Sequence, residues 1–137
     1  MTTRRTIVAA VALAAVITLL ALVFRAAAGG GPTTATASTP RYTVRLSVDD
    51  PRTGPNSLGL EVTDVAGQPA APDEVTVEPV MTQMGHALAP VTALPEAPGR
   101  YRAATADLPM AGPWQMTVSL RDASGVDHVV LPLLVKG

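Results

Sequence analysis

Trp114-Gln115-Met116-Thr117-Val118-Ser119-Leu120 alternates large apolar with polar side chains, and the turn-forming Asp122-Ala123-Ser124-Gly125 follows closely. Strict period-two alternation turns one face of an extended chain toward an apolar core and the other toward water. Aspartate, serine and glycine in a short break then predict a hairpin, closed by the apolar residues 126–135. Moving outward toward the N-terminus, the same rhythm recurs. Tyr101, Ala103 and Thr105 alternate after Pro98-Gly99, Val75, Val77 and Pro79 form another run, and Leu58, Leu60 and Val62 another. Tyr42, Val44, Leu46 and Val48 open the series. Residues 86–93 are a weaker strand, because Pro90 lacks a ladder donor and suits a sheet edge. Proline, glycine and aspartate mark the breaks at 49–56 and 64–69. Seven short strands without helical periodicity predict an all-β fold, an immunoglobulin-like antiparallel β-sandwich. The chain has no cysteine, so the inter-sheet disulfide of true immunoglobulin domains is excluded, and so are thiolate metal sites and a cysteine nucleophile. Aromatic residues make up only 3%, which leaves valine, leucine and alanine to build the core.

Ahead of the strands, residues 7–24 run for 18 positions without charge, proline or glycine, preceded by Arg4-Arg5. A helix of that length reaches about 27 Å, close to the hydrocarbon thickness of a bilayer. Signal-peptide cores usually span only about 7 to 15 apolar residues, so length favours a retained single-pass anchor. The small residues after Arg25 keep a cleaved leader open as the alternative. Arg4 and Arg5, ahead of the run, place the N-terminus in the cytoplasm and the remainder outside the cell membrane. The expected organisation is a cytoplasmic stub at 1–6, a membrane segment at 7–25, a flexible tether at 26–40 and the β-domain at 41–137. The tether follows from Gly29-Gly30-Gly31-Pro32 and the small polar residues up to Pro40, which bury too little to offset ordering entropy.

The net charge of −1 divides unevenly, since every acidic residue lies at Asp49 or later. From Arg41 onward seven basic residues face eleven acidic ones. A mildly acidic domain without a basic stripe is unsuited to nucleic acid, where phosphate neutralisation dominates affinity.

Two further stretches carry chemistry. Met81-Thr82-Gln83-Met84-Gly85-His86-Ala87 and Leu108-Pro109-Met110-Ala111-Gly112-Pro113-Trp114-Gln115-Met116 hold every methionine except the first residue, one of two histidines and the only tryptophan. With strands alternating in direction, the loops around Met84 and Met110 fall at one end of the domain. Met81, Met84, His86 and Met110 are therefore candidate metal ligands. Thioethers are soft, neutral donors that select Cu(I), and a neutral imidazole completes such a set. Packing is the competing reading: methionine is ordinary core filler, and sulfur beside an indole is ordinary contact.

These residues also resemble a known family. Met81 to Ala87, followed by Pro98-Gly99-Arg100-Tyr101 and Leu108 to Trp114, is similar to the YtkA-like domain family of small β-sandwich proteins. The resemblance spans roughly residues 42–135. It implies an exported or membrane-tethered domain, associated in some members with copper handling. In the related FixH-type proteins it implies assembly of haem–copper oxidases. It places Met81, Met84, His86 and Met110 within the family pattern and assigns no catalytic residue.

Other groupings are bland. Asp127 and His128 are adjacent in a strand and so point to opposite faces. Arg100 and Arg102 share a solvent-facing strand side, with an acidic partner as the alternative, and Asp49-Asp50 and Asp73-Glu74 lack calcium-loop spacing. No nucleophile elbow, phosphate-binding glycine loop or HExxH motif occurs. The expected function is a non-enzymatic, membrane-tethered domain that binds or delivers copper. The alternative is a metal-free interaction module docking onto a membrane partner, an oxidase subunit or a copper transporter.

Overall fold

The structure is a computed structural model that describes Pro32–Gly137, so the expected membrane segment at 7–25 and the cytoplasmic stub lie outside the described residues. The described part is all-β and antiparallel. Its strands are β1 (Thr33–Ser38), β2 (Tyr42–Val48), β3 (Gly54–Asp64), β4 (Glu74–Met81), β5 (His86–Ala87), β6 (Val91–Ala97), β7 (Arg100–Leu108), β8 (Gly112–Asp122) and β9 (Gly125–Val135). They form one path of hydrogen-bonded neighbours, β1-β2-β3-β7-β6-β4-β8-β9, with the short β5 paired to β4. The wall curls almost into a barrel around a single apolar interior.

Alternation decides which side chains fill it. On β8, Trp114, Met116, Val118 and Leu120 are buried, and on β9 Val129, Leu131, Leu133 and Val135 face them. β2 contributes Val44, Leu46 and Val48, and β3 contributes Leu58, Leu60 and Val62. No buried side-chain polar atom among the described residues lacks a partner. Asn56, the one buried polar residue described, donates to the carbonyls of Arg52 and Gly54 and accepts from the Arg52 N–H.

The architecture departs from the seven-strand expectation in three places. First, the tether does not extend to Pro40: Thr33–Ser38 pairs along its whole length with β2, from Thr33↔Val48 to Ser38↔Thr43. Its small side chains carry no hydrophobic signal, and backbone pairing holds them instead. Second, 86–93 is not one edge strand. It breaks at Leu88–Pro90, and β6 pairs on both sides, Val91–Ala93 with β4 and Leu94–Ala97 with β7. This is the strand at which the wall turns from one layer to the other. Third, β7 carries a bulge opposite Ser57, so the ladder passes from Ala103↔Leu58 to Ala106↔Asn56. The extra residue shifts the phase, leaving Thr105 exposed and burying Ala106.

The two end strands approach each other without a ladder, and side chains close the seam. Arg41, in the β1–β2 turn, donates to both carboxylate oxygens of Asp122 at 2.7 and 2.8 Å and to Asp127 at 2.7 Å. The Tyr42 hydroxyl donates to Asp122, and Thr39 Oγ1 donates to Asp127 at 2.6 Å. At the same end Gly99 turns the β6–β7 hairpin with φ +71°, where an added Cβ would lie 2.8 Å from the Val62 carbonyl oxygen. Only glycine fits so close an approach of two backbones.

Candidate functional site at the methionine pole

β4 and β8 run antiparallel with Val80 opposite Gln115, so the end of β4 meets the start of β8. The Met81 and Met110 segments are therefore neighbours in space. Met81 Cε lies 3.4 Å from the position a Cβ on Gly112 would take. The β2–β3 loop and the C-terminus complete this pole, with Thr53 N–H donating to the Lys136 carbonyl at 2.9 Å and Lys136 N–H to that of Pro51 at 3.0 Å.

The four candidate ligands divide by depth. Met81 is 4% exposed and closes the end of the core. Thr82–Met84 forms a single 3₁₀ turn, and Gly85 (φ +59°) reverses the chain, its N–H donating to the Thr82 carbonyl at 3.2 Å. That left-handed residue returns the chain along β4, pairing His86 with Met81 and Ala87 with Val80. Directly opposed residues leave a sheet on the same side, so His86 stands over Met81. The imidazole is exposed, as is Met84 at 64%. Met110 is half-buried against the core, and its carbonyl accepts the Trp114 indole N–H at 2.9 Å. Trp114 thus fixes the loop that bears Met110. Met116 is fully buried on the same β8 face as Trp114 and belongs to the core.

The pole offers soft donors at graded depth: Met84 and His86 in water, Met110 at the boundary, Met81 beneath. Among the described residues no three His, Cys, Asp or Glu side chains gather as a metal site. A hard, carboxylate-rich centre therefore has no candidate there, and thioether sulfur with imidazole is the donor class on offer.

A groove beside the pole was not foreseen from the sequence. Because β6 begins only at Val91, it does not bridge β4 and β7 ahead of that residue, and a cleft of about 360 Å³ is left. Pro79, Leu88, Ala89, Val91, Thr105, Asp107 and Pro109 line it. The signal available was Pro90, which has no ladder donor and lies in the break between β5 and β6, inside the run expected to be one strand.

The remaining polar groups are accounted for locally. Asp127 turns to the Arg41 seam, while His128 Nδ1 lies 2.9 Å from Ser119 Oγ across the β8–β9 ladder, so no acid–base pair forms between Asp127 and His128. Arg102 pairs with Glu96 at 2.6 Å and donates to Ser57 on the exposed face.

An all-β wall with this loop pole defines a small β-domain whose two methionine-bearing segments meet at one end. The chain belongs to the YtkA-like family, whose profile matches residues 36–119. Neither the curated proteins nor the solved structures searched gave a match.

Proposed function

We propose that this domain binds Cu(I) at the methionine pole outside the cytoplasmic membrane, tethered by residues 7–24, and takes part in copper handling or haem–copper oxidase assembly rather than catalysis. The observation that carries the reading is the exposure of Met84, two residues from an exposed His86, at the pole that also holds the indole-anchored Met110 loop. A packing methionine belongs inside, as Met116 is; a methionine held at the surface on one turn is available to a soft ion.

The test is titration of the full-length protein, in detergent, with Cu(I) against a competing chelator. Binding at a Kd of about 1 nM or tighter, near −12 kcal/mol, supports delivery. Its abolition by Met84→Leu with His86→Ala, and its retention by Met116→Leu, assigns the ligands. Binding weaker than that in the unmodified protein contradicts the copper reading.

The groove favours a second reading, a metal-free module that docks onto a membrane partner. It predicts no Cu(I) binding, together with capture of an oxidase subunit or copper transporter that is lost when Leu88 is changed to Asp.

A further inference from the structure

The chain has no cysteine, so its thioethers are the sulfur atoms that a peroxide can oxidise. Access to them differs sharply. Met84 is 64% exposed, Met81 and Met116 are buried, and Met110 is half-buried against the core. The surroundings of Met84 are as open as its side chain, since every residue from Thr82 to Ala87 is exposed. Backbone contacts set this turn: the Gly85 N–H on the Thr82 carbonyl, and the β5 pairs Met81↔His86 and Val80↔Ala87. An oxygen added to the Met84 thioether therefore meets water rather than the core.

We propose that Met84 is a site of reversible oxidation by hydrogen peroxide, and that its sulfoxide form switches off soft-metal binding at the methionine pole. The switch rests on the Cu(I) reading above; the oxidation site does not. In the reaction a sulfur lone pair attacks one peroxide oxygen. An S–O bond forms, the O–O bond breaks, and a proton shift releases one water. Sulfur gives up two electrons and the peroxide takes them. The product is polar and chiral, and methionine sulfoxide reductases return it to the thioether. As a ligand it is altered in kind: the soft sulfur donor is replaced by a polar group that presents oxygen, a donor class suited to harder cations than Cu(I).

Depth decides both which sulfur reacts and what the reaction costs the fold. Met116 lies in the core beside Trp114, where a sulfoxide oxygen would be buried without a hydrogen-bond partner. At Met84 the same oxygen is solvated, so the domain tolerates it. Oxidation there changes the donor set and leaves the β-wall intact, which a reversible control requires. The exposed turn also gives a reductase room to reach the side chain.

The test treats the full-length, metal-free protein in detergent with hydrogen peroxide and follows each methionine by peptide mass spectrometry. Met84 is expected to react about tenfold or more faster than Met81 and Met116, with Met110 between them. Protein oxidised at Met84 alone should keep its melting temperature and lose Cu(I) affinity about tenfold or more in chelator competition. Methionine sulfoxide reductases A and B, added together, should restore that affinity. Met84→Leu should remove the fast oxidation, and Met116→Leu should leave both the fast oxidation and the peroxide sensitivity of Cu(I) binding in place. Oxidation of Met84 no faster than that of Met116, or Cu(I) affinity unchanged by the Met84 sulfoxide, overturns the inference. Absence of Cu(I) binding before peroxide is added overturns the copper reading and the switch with it. The order of oxidation is read without metal, so the oxidation site stands or falls separately.

Discussion

Met81 and Met84 stand three positions apart on one segment and meet opposite environments, one 4% and the other 64% exposed. Gly85 makes the difference, because its positive φ folds the turn back so that Met84 projects while Met81 stays in the β4 alternation. Truncating Met84 or His86 should therefore change thermal stability by no more than about 0.5 kcal/mol, as for other exposed sites. The same changes should remove the Cu(I)-induced rise in melting temperature, which a thermal scan with and without metal reads directly. Trp114 is the opposite case. Trp114→Phe keeps most of the apolar volume but leaves the Met110 carbonyl without its indole donor, so stability should fall by about 1–3 kcal/mol in denaturant unfolding. Cu(I) affinity should fall with it, because the Met110 loop loses its anchor. Unchanged affinity would show that Met110 is not a ligand.

At the scale of elements, the strands that fill the core were legible because their alternation is a direct record of burial. β8, β2 and β3 are where their patterns placed them. β1 was illegible for a physical reason: Thr33-Thr34-Ala35-Thr36-Ala37-Ser38 buries little and is ordered by its ladder to β2 and by the seam beyond it. The bulge in β7 and the double pairing of β6 were hidden too, since both depend on a partner strand rather than on local composition. The neighbouring of the Met81 and Met110 segments was legible from strand direction; the burial of Met81 and the exposure of Met84 were not, because spacing does not reveal which loop residue turns inward.

The seam carries its own prediction. Arg41, followed by Tyr42, holds the Asp122 carboxyl down at about 2, and Asp127 is lowered by Arg41 and Thr39. Asp122 therefore contributes fully above its ordinary value of 3.8, and that contribution is lost as pH falls through about 2. The Tyr42 hydroxyl, donating to Asp122, is pushed up to about 12. Its contribution is full below 10.0 and is lost as pH rises through about 12. Melting temperature should fall at both extremes, and Arg41→Ala should flatten the acid limb. An acid limb unchanged in the Arg41→Ala protein would assign it to other carboxylates.

For the whole molecule, one feature organises the rest: the apolar groove and the methionine–imidazole donors lie at one end. The chain belongs to the YtkA-like family, and under the proposed function the donors at this pole are the domain's working end. X-ray absorption on the Cu(I)-loaded full-length protein reads this most directly, because it reports the atoms touching the metal. A shell of about two sulfurs and one imidazole nitrogen, with the nitrogen lost in His86→Ala, is the predicted result. A shell of nitrogen and oxygen alone, or one unchanged when Met84 and His86 are replaced, would contradict the account.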